Sequence, residues 1–165
     1  MLLKENNNIF RIYLDTSVIS AYFDFNKPLR QLITEKWFYN DIENFQLFTS
    51  PLVLEEIENN TNLQLKKNMF ELLGKSEATL LPINEEIETL AGIYRKSILS
   101  KEINDTLHIA IASFYGLDAI ISWNFRHIVN IKTMKTIHNI NEENKYKIIE
   151  ILSVENIGGE KYGNL

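Results

Sequence analysis

Short apolar runs alternate along the chain with longer segments whose apolar residues recur every three or four positions. The runs are rich in β-branched and aromatic residues, which is typical of buried strands, and the longer segments have the period of amphipathic helices. The predicted strands are 9–14, 46–50, 78–83, 119–123 and 147–154. Strands separated by helices pair in parallel through right-handed crossovers. The pattern therefore predicts an α/β fold, a three-layer α/β/α sandwich with a central parallel five-stranded sheet.

Proline, glycine and capping residues mark the predicted helix ends. A short helix follows the first strand over 17–24, and Pro28 opens a longer one that runs to about residue 44. One face of that helix carries the apolar side chains Leu29, Leu32, Ile33 and Trp37. The most apolar helix, 104–116, is closed by Gly116, and the segment 132–144 stays ambiguous.

The length and composition fit one compact domain. The chain has 165 residues, of which 45% are hydrophobic and 11% aromatic, and this supports a single core over residues 9–154 with flexible termini at 1–8 and 155–165. There is no run of about 18 apolar residues and no signal-peptide pattern at the N-terminus. We therefore expect a cytoplasmic protein without a membrane segment.

Cysteine count and net charge limit the chemistry. The absence of cysteine excludes disulfides, thiolate metal sites and a cysteine nucleophile, so a metal must use oxygen or imidazole ligands. The net charge of −5 argues mildly against a protein whose main task is to neutralise phosphates. It does not exclude a nuclease, because such an enzyme gathers carboxylates around a divalent cation.

Three acids lie at or near the ends of predicted strands and helices. Asp15 ends the first strand, Glu56 lies in the first turns of the helix after the second strand, and Asp105 opens the helix before the fourth strand. Ligands usually bind at the carboxyl edge of a parallel sheet, and all three acids could face that edge. Carboxylates from separate elements suit Mg²⁺ or Mn²⁺.

Each of these residues also has an ordinary structural interpretation. Asp15 and Asp105 could be helix N-caps, and Glu56 could be a solvated helix residue for which Glu55 competes. His108, on an apolar helix, is more typical of a packed, hydrogen-bonded histidine than of a metal ligand.

The order of three blocks changes this balance. They are YLDTSVIS, TSPLVLEEI and NDTLHIAIASFYGLDAIISWN, and together they resemble the PIN-domain family of metal-dependent ribonucleases, especially the VapC-type toxins of bacterial toxin–antitoxin pairs. The resemblance extends over 9–154 in order and without large insertions. When TSPLVLEEI is aligned with the family's second block, its metal-site acid is Glu56 and not Glu55.

This resemblance implies a site in which Asp15, Glu56 and Asp105 hold Mg²⁺ or Mn²⁺ and a water attacks an RNA phosphodiester. Thr16 and Ser17 would support it by binding a ligand carboxylate or a bridging water. The implied partners are an RNA substrate, a small antitoxin protein and a second copy of the chain. The candidate residues of the dimer interface are Tyr22, Phe23, Phe25 and Tyr39. Each of them could equally well belong to the core.

The sequence departs from the family where a fourth acid often follows the fourth strand. Asn124 and His127 stand at those places. Asn124 could take a catalytic position by offering a carbonyl oxygen, but it brings no charge. His127 could act as a ligand that favours Mn²⁺, as a phosphate contact or as a proton donor, or it could simply cap backbone carbonyls in the loop. Asp118 lies before the strand and should point away from the site.

Two neighbours of Asn124 remain to be assigned. Arg126 is a candidate phosphate contact, although an exposed arginine is common. Trp123 should belong to the core, with stacking on an unpaired base as the alternative.

The leading hypothesis is therefore a metal-dependent endoribonuclease. The alternative is a catalytically weakened PIN-fold protein that binds RNA or acts as a scaffold, for which Asn124 and the acidic net charge are the evidence. A strand ending in DTS is also similar to haloacid-dehalogenase phosphohydrolases, but those need a second Asp where this chain has Ser17.

Overall fold

The computed structural model describes residues 9–98 and 102–157. The strands are β1 (Phe10–Leu14), β2 (Phe45–Thr49), β3 (Thr79–Leu80), β4 (Ala119–Ile121) and β5 (Glu150–Leu152). The helices are α1 (Thr16–Ala21), α2 (Pro28–Asn40), α3 (Pro51–Glu58), α4 (Leu63–Lys75), α5 (Glu85–Ser97), α6 (Ile103–Phe114), α7 (Ile131–Glu143) and α8 (Val154–Ile157). A 3-10 helix, Ile42–Asn44, precedes β2.

The five strands form one parallel sheet in the order β3-β2-β1-β4-β5. The chain builds outward from β1 through β2 to β3, then crosses back to place β4 on the other side of β1. The strand order thus reverses between β1 and β4, and such a switch point opens a crevice at the carboxyl ends of the strands.

Helices cover both faces of the sheet, which confirms the three-layer α/β/α architecture. One group contains α1 to α4, which contact one another, and the other contains α5, α6 and α7. The central strands are buried on both sides, as Ile12, Tyr13, Leu14, Ile120 and Ile121 show. This explains why these strands are continuous apolar runs without polar alternation.

Helix α6 feeds directly into the central sheet through a glycine turn. Gly116 has a φ of +58°, and the Leu117 amide donates to the Ala112 carbonyl at 3.1 Å. A left-handed residue after the last helical turn closes a helix in this way, and glycine adopts it without a Cβ clash. The predicted end of this helix is thus confirmed.

Several predicted element boundaries were wrong. Helix α2 ends at Asn40, where the chain tightens into the 3-10 helix before residue 44, and the strands are shorter than their apolar runs. The proposed apolar face of α2 is only partly buried, because Trp37 is buried whereas Leu29 and Leu32 are exposed. The ambiguous segment is the helix α7, whose N-cap Asn130 accepts from the Thr133 amide.

Other expectations concern the ends of the chain. The predicted flexible residues 1–8 lie outside the described part of the chain, as do 158–165. Residues 155–157 belong to α8. Across the described ranges, no helix has the length and apolarity that a bilayer crossing requires.

Asp118 fixes the amino end of β4, away from the crevice. Its carboxylate accepts from the Arg11 amide at 2.7 Å and pairs with the Lys147 ammonium at 2.5 Å. Burial by itself would raise the pKa of Asp118, but Lys147 and the Arg11 amide lower it below its usual value. The predicted exclusion of Asp118 from the site agrees with this position.

We expect Asp118→Asn to lower the free energy of unfolding at pH 7 by about 1 kcal/mol, because a charge-assisted hydrogen bond is lost. A carboxyl whose pKa is depressed in the folded state stabilises above its unfolded pKa, and that stabilisation disappears as pH falls through the folded value. Urea unfolding should therefore show the variant and the wild type converging below about pH 3.8, the usual pKa of Asp. A difference that stays constant with pH would contradict this account, and Lys147→Met should cause a smaller loss.

Candidate metal centre

Asp15 lies at the carboxyl ends of the paired strands β1 and β4, directly after the last residue of β1. Its backbone amide donates to the Ile121 carbonyl at 3.1 Å, which joins the carboxyl ends of the two strands. One carboxylate oxygen, Oδ2, accepts from the hydroxyls of Ser17 and Ser122, both at 2.6 Å. The other oxygen, Oδ1, faces the His108 ring at 3.3 Å. Asp15 occupies the N-cap position of α1 but makes no side-chain cap.

Glu56 lies on α3 and reaches the same crevice from the β2 side. Its Oε1 accepts from the Thr16 hydroxyl at 2.8 Å and pairs with His108 Nε2 at 2.6 Å. Its Oε2 accepts a longer bond of 3.4 Å from the Asn104 amide. Burial alone would raise the pKa of Glu56, but the bonds from His108 and Thr16 lower it below its usual value. The carboxylate is therefore held in its charged form.

His108 is a buried ring between these two acids and the sheet. It follows Asp105 by three positions on α6, so both side chains lie on one side of the helix. Burial by itself would lower the pKa of His108, whereas Asp15, Glu56 and Asp105 raise it above its usual value.

Asp105 is linked to the loop after β4 through Asn124. The Asn124 amide nitrogen donates to Asp105 Oδ1 at 3.1 Å, and its carbonyl oxygen accepts from the His127 backbone amide at 3.0 Å. This orientation is unambiguous, because a backbone N–H can only donate and a carboxylate can only accept. The Asn124 amide therefore stabilises the Asp105 carboxylate with a hydrogen bond and restricts its orientation.

The donor set fits a hard divalent cation. Ligand atoms of Asp15, Glu56 and His108 lie within 4.8 Å of one another, and Asp105 is not part of this group. Oδ2 of Asp15 accepts hydrogen bonds from two hydroxyls, and these bonds fix the direction of Oδ1. Pre-oriented carboxylates of this kind, supported by hydrogen bonds from behind, are what a bound metal ion requires.

Comparisons with known proteins identify the fold family of the chain. The family model of the PIN domain matches residues 12–128, which is most of the chain and includes every element of the crevice. The chain belongs to the PIN-domain family. A comparison with curated protein sequences finds no match.

Two solved structures show the same fold as this PIN domain. One is VapC20 of Mycobacterium tuberculosis, a toxin that cleaves the sarcin–ricin loop; it is 12% identical, with a TM-score of 0.57, over 70% of this chain and 91% of that one. The other is VapBC2 of Rickettsia felis, bound to a DNA fragment from its promoter; it is 14% identical, with a TM-score of 0.53, over 87% of this chain and 98% of that one.

The PIN fold places the predicted acids as follows. Asp15 and Glu56 meet through His108, whereas the contact of Asp105, on α6, is with the Asn124 amide. Glu55, the competitor of Glu56, points to solvent. Asp105 is not the N-cap of α6, because the helix begins two residues earlier, at Ile103, after Glu102.

The residues after β4 are divided between core, loop and surface. Trp123 is buried and donates its indole N–H to Thr34 at 2.9 Å, so it belongs to the core and does not stack on a base. Arg126 and His127 line a surface pocket beside Lys132 and Thr133, at the start of α7. His127 contacts Asn124 through its backbone amide.

Sequence reasoning missed several supporting residues of this centre. They are Tyr13, Ser122 and Asn104, together with the direct contact of His108 with both acids. Helical spacing from Asp105 could have identified His108, and the position after β4 could have identified Ser122. The Tyr13 hydroxyl gave no signal, because a tyrosine inside an apolar strand has the pattern of a core residue.

Proposed function

We propose that this PIN domain is a metal-dependent endoribonuclease that hydrolyses RNA phosphodiester bonds. The observation that carries the proposal is the pair of carboxylates, Asp15 and Glu56, held within 4.8 Å of each other at the switch point of a parallel sheet. We assign Asp105, in the first turn of α6, to the same set. A divalent cation bound between these carboxylates would offset their mutual repulsion.

The roles of the residues follow from their contacts. Asp15, Glu56 and Asp105 hold Mg²⁺ or Mn²⁺, which when bound supplies a Lewis acid that activates water and offsets charge on phosphate oxygens. Ser17 and Ser122 orient Asp15, and Thr16 orients Glu56. Asn124 takes the place of a fourth acid and acts on Asp105 through its amide.

The surface pocket at the start of α7 supports an RNA backbone path. Arg126 and Lys132 bring positive charge there, and His127 lines the same pocket. The loop that carries Arg126 and His127 begins at Asn124, whose side chain bonds to Asp105. We assign Arg126 and His127 to contacts with phosphates flanking the cleaved bond.

We also propose that the enzyme is the toxin of a type II pair, acts in the cytoplasm and is neutralised by a small antitoxin. Both structural relatives are VapC toxins or a complex that contains one. Exposed apolar side chains between α1 and the end of α2 suit a second copy of the chain or the antitoxin. They are Phe25, Leu29, Leu32 and Tyr39.

Cleavage of a labelled single-stranded RNA tests the proposal directly. With Mg²⁺ or Mn²⁺, the wild type should cut the RNA without leaving 2′,3′-cyclic phosphates, because water and not the neighbouring 2′-hydroxyl attacks. Asp15→Asn and Glu56→Gln should each reduce the rate by at least about 100-fold. Glu55→Gln, one position away and exposed, is the matched control and should cleave like the wild type.

Two results would contradict the proposal. Cleavage that persists in chelator or in Asp15→Asn would exclude this metal centre as the source of activity. Binding of RNA without cleavage under all metal conditions would favour the alternative, a PIN-fold RNA-binding or scaffold protein whose catalysis is weakened at Asn124.

Asn124→Asp tests the departure from the family. The change replaces a hydrogen bond to Asp105 by two carboxylates about 3.1 Å apart, so it should lower Tm in chelator by roughly 3–6 °C. Saturating Mg²⁺ should then raise the Tm of the variant more than that of the wild type, because the cation relieves the new repulsion. Activity with Mg²⁺ should be kept or increased.

Asn124→Ala is the control, since it loses both hydrogen bonds and adds no charge. Equal responses of the Asp and Ala variants to Mg²⁺ would show that residue 124 does not act on the cation. A large loss of activity in Asn124→Asp would show that the amide donor is required.

A further inference from the structure

His108 has contacts on both sides of its ring that the proposed chemistry does not use. On the crevice side, Nε2 lies 2.6 Å from Glu56 Oε1 and 3.3 Å from Asp15 Oδ1. On the other side, Nδ1 lies 2.7 Å from the Tyr13 hydroxyl, which lies 2.8 Å from the Ser50 hydroxyl. The ring is only 1% exposed, so these partners replace solvent completely.

The contacts determine where the ring carries a proton. A charged carboxylate only accepts, so a 2.6 Å contact with Glu56 requires a hydrogen on Nε2. The other ring nitrogen, Nδ1, faces the Tyr13 hydroxyl, which in turn faces the Ser50 hydroxyl. The Tyr13 hydroxyl can donate to Nδ1 or accept from it, because the Ser50 hydroxyl can take the complementary role. In both cases Nε2–H faces the two acids.

The position of this N–H matters because Glu56 reaches Asp15 on a long side chain that is 28% exposed. Thr16 and His108 both bind Oε1 and so hold the carboxylate over Asp15. The bond from Asn104 to Oε2 is longer, at 3.4 Å, and restrains it less.

We propose that His108 is a positioning residue for the cation site, not a ligand: its Nε2–H aligns Glu56 with Asp15, and Tyr13 fixes the ring. This inference rests on the proposed function only in that the acids bind a divalent cation. The orientation of Glu56 is thereby assigned to a buried residue of α6, which lies behind the carboxylates.

Mn²⁺ binding to the full chain, measured without RNA by calorimetry, tests the inference separately from activity. His108→Leu should weaken Mn²⁺ binding by about 10- to 100-fold, the range found when a group that orients a metal ligand is lost. His108→Gln should recover much of this, because its amide nitrogen can take the place of Nε2 as a donor. Tyr13→Phe, which removes only a hydroxyl, should weaken binding by a few-fold.

Matched controls separate this effect from general destabilisation. His138→Leu removes a half-buried histidine that bonds to the Ile149 carbonyl, and Tyr94→Phe removes a buried hydroxyl that bonds to Asn141. Both should bind Mn²⁺ like the wild type. If His108→Leu does not fold, the comparison of His108→Gln and Tyr13→Phe with these controls decides the question.

Pulsed EPR of bound Mn²⁺ gives a readout that a merely structural role would not change. The inference predicts no ¹⁴N coupling from a directly coordinated imidazole. Such coupling, lost in His108→Gln, would overturn it by making His108 a ligand. Wild-type affinity in the folded His108 and Tyr13 variants would also overturn it, as would the absence of Mn²⁺ binding by the wild type. Failure of the wild type to cleave RNA, with the predicted binding pattern intact, would reject the ribonuclease proposal alone.

Discussion

The close approach of Asp15 and Glu56 is the constraint on which the crevice depends. Two unit charges about 4 Å apart in an environment of intermediate dielectric repel by roughly 4 kcal/mol, and the sheet brings these carboxylates to that range without a counter-charge in the described residues other than His108. The surrounding donors offset part of this cost. Ser17 and Ser122 bind one end of Asp15, and Thr16 and His108 bind Glu56.

These donors come from separate elements, so the local chemistry and the topology support each other. Ser122 follows β4, Thr16 and Ser17 begin α1, and His108 lies on α6. Only the reversal of strand order beside β1 brings the ends of these elements together. The same reversal leaves Asp118 at the opposite end of β4, where it pairs with Lys147 and the Arg11 amide.

The alternation of apolar runs and helical periods was sufficient to predict the parallel sheet and its layers, because both faces of β1 and β4 are buried and their sequences show it. Each of Asp15, Glu56 and Asp105 adjoins a predicted strand or helix end, but it was the resemblance to PIN domains that selected them and preferred Glu56 to Glu55. The role of Asn124 could not be predicted. Whether its amide offers oxygen to a cation or nitrogen to Asp105 depends on the His127 backbone amide, which only the folded loop places.

The most direct measurement of the central claim is a crystal structure grown with Mn²⁺, with anomalous differences collected near the manganese edge. One strong anomalous peak is expected at the carboxyl edge of the sheet, within coordination distance of oxygens of Asp15 and Glu56, with Asp105 bound directly or through water. His108 should remain hydrogen-bonded to Glu56 and Tyr13. A peak elsewhere on the molecule, or none in crystals whose crevice is open to solvent, would contradict the account.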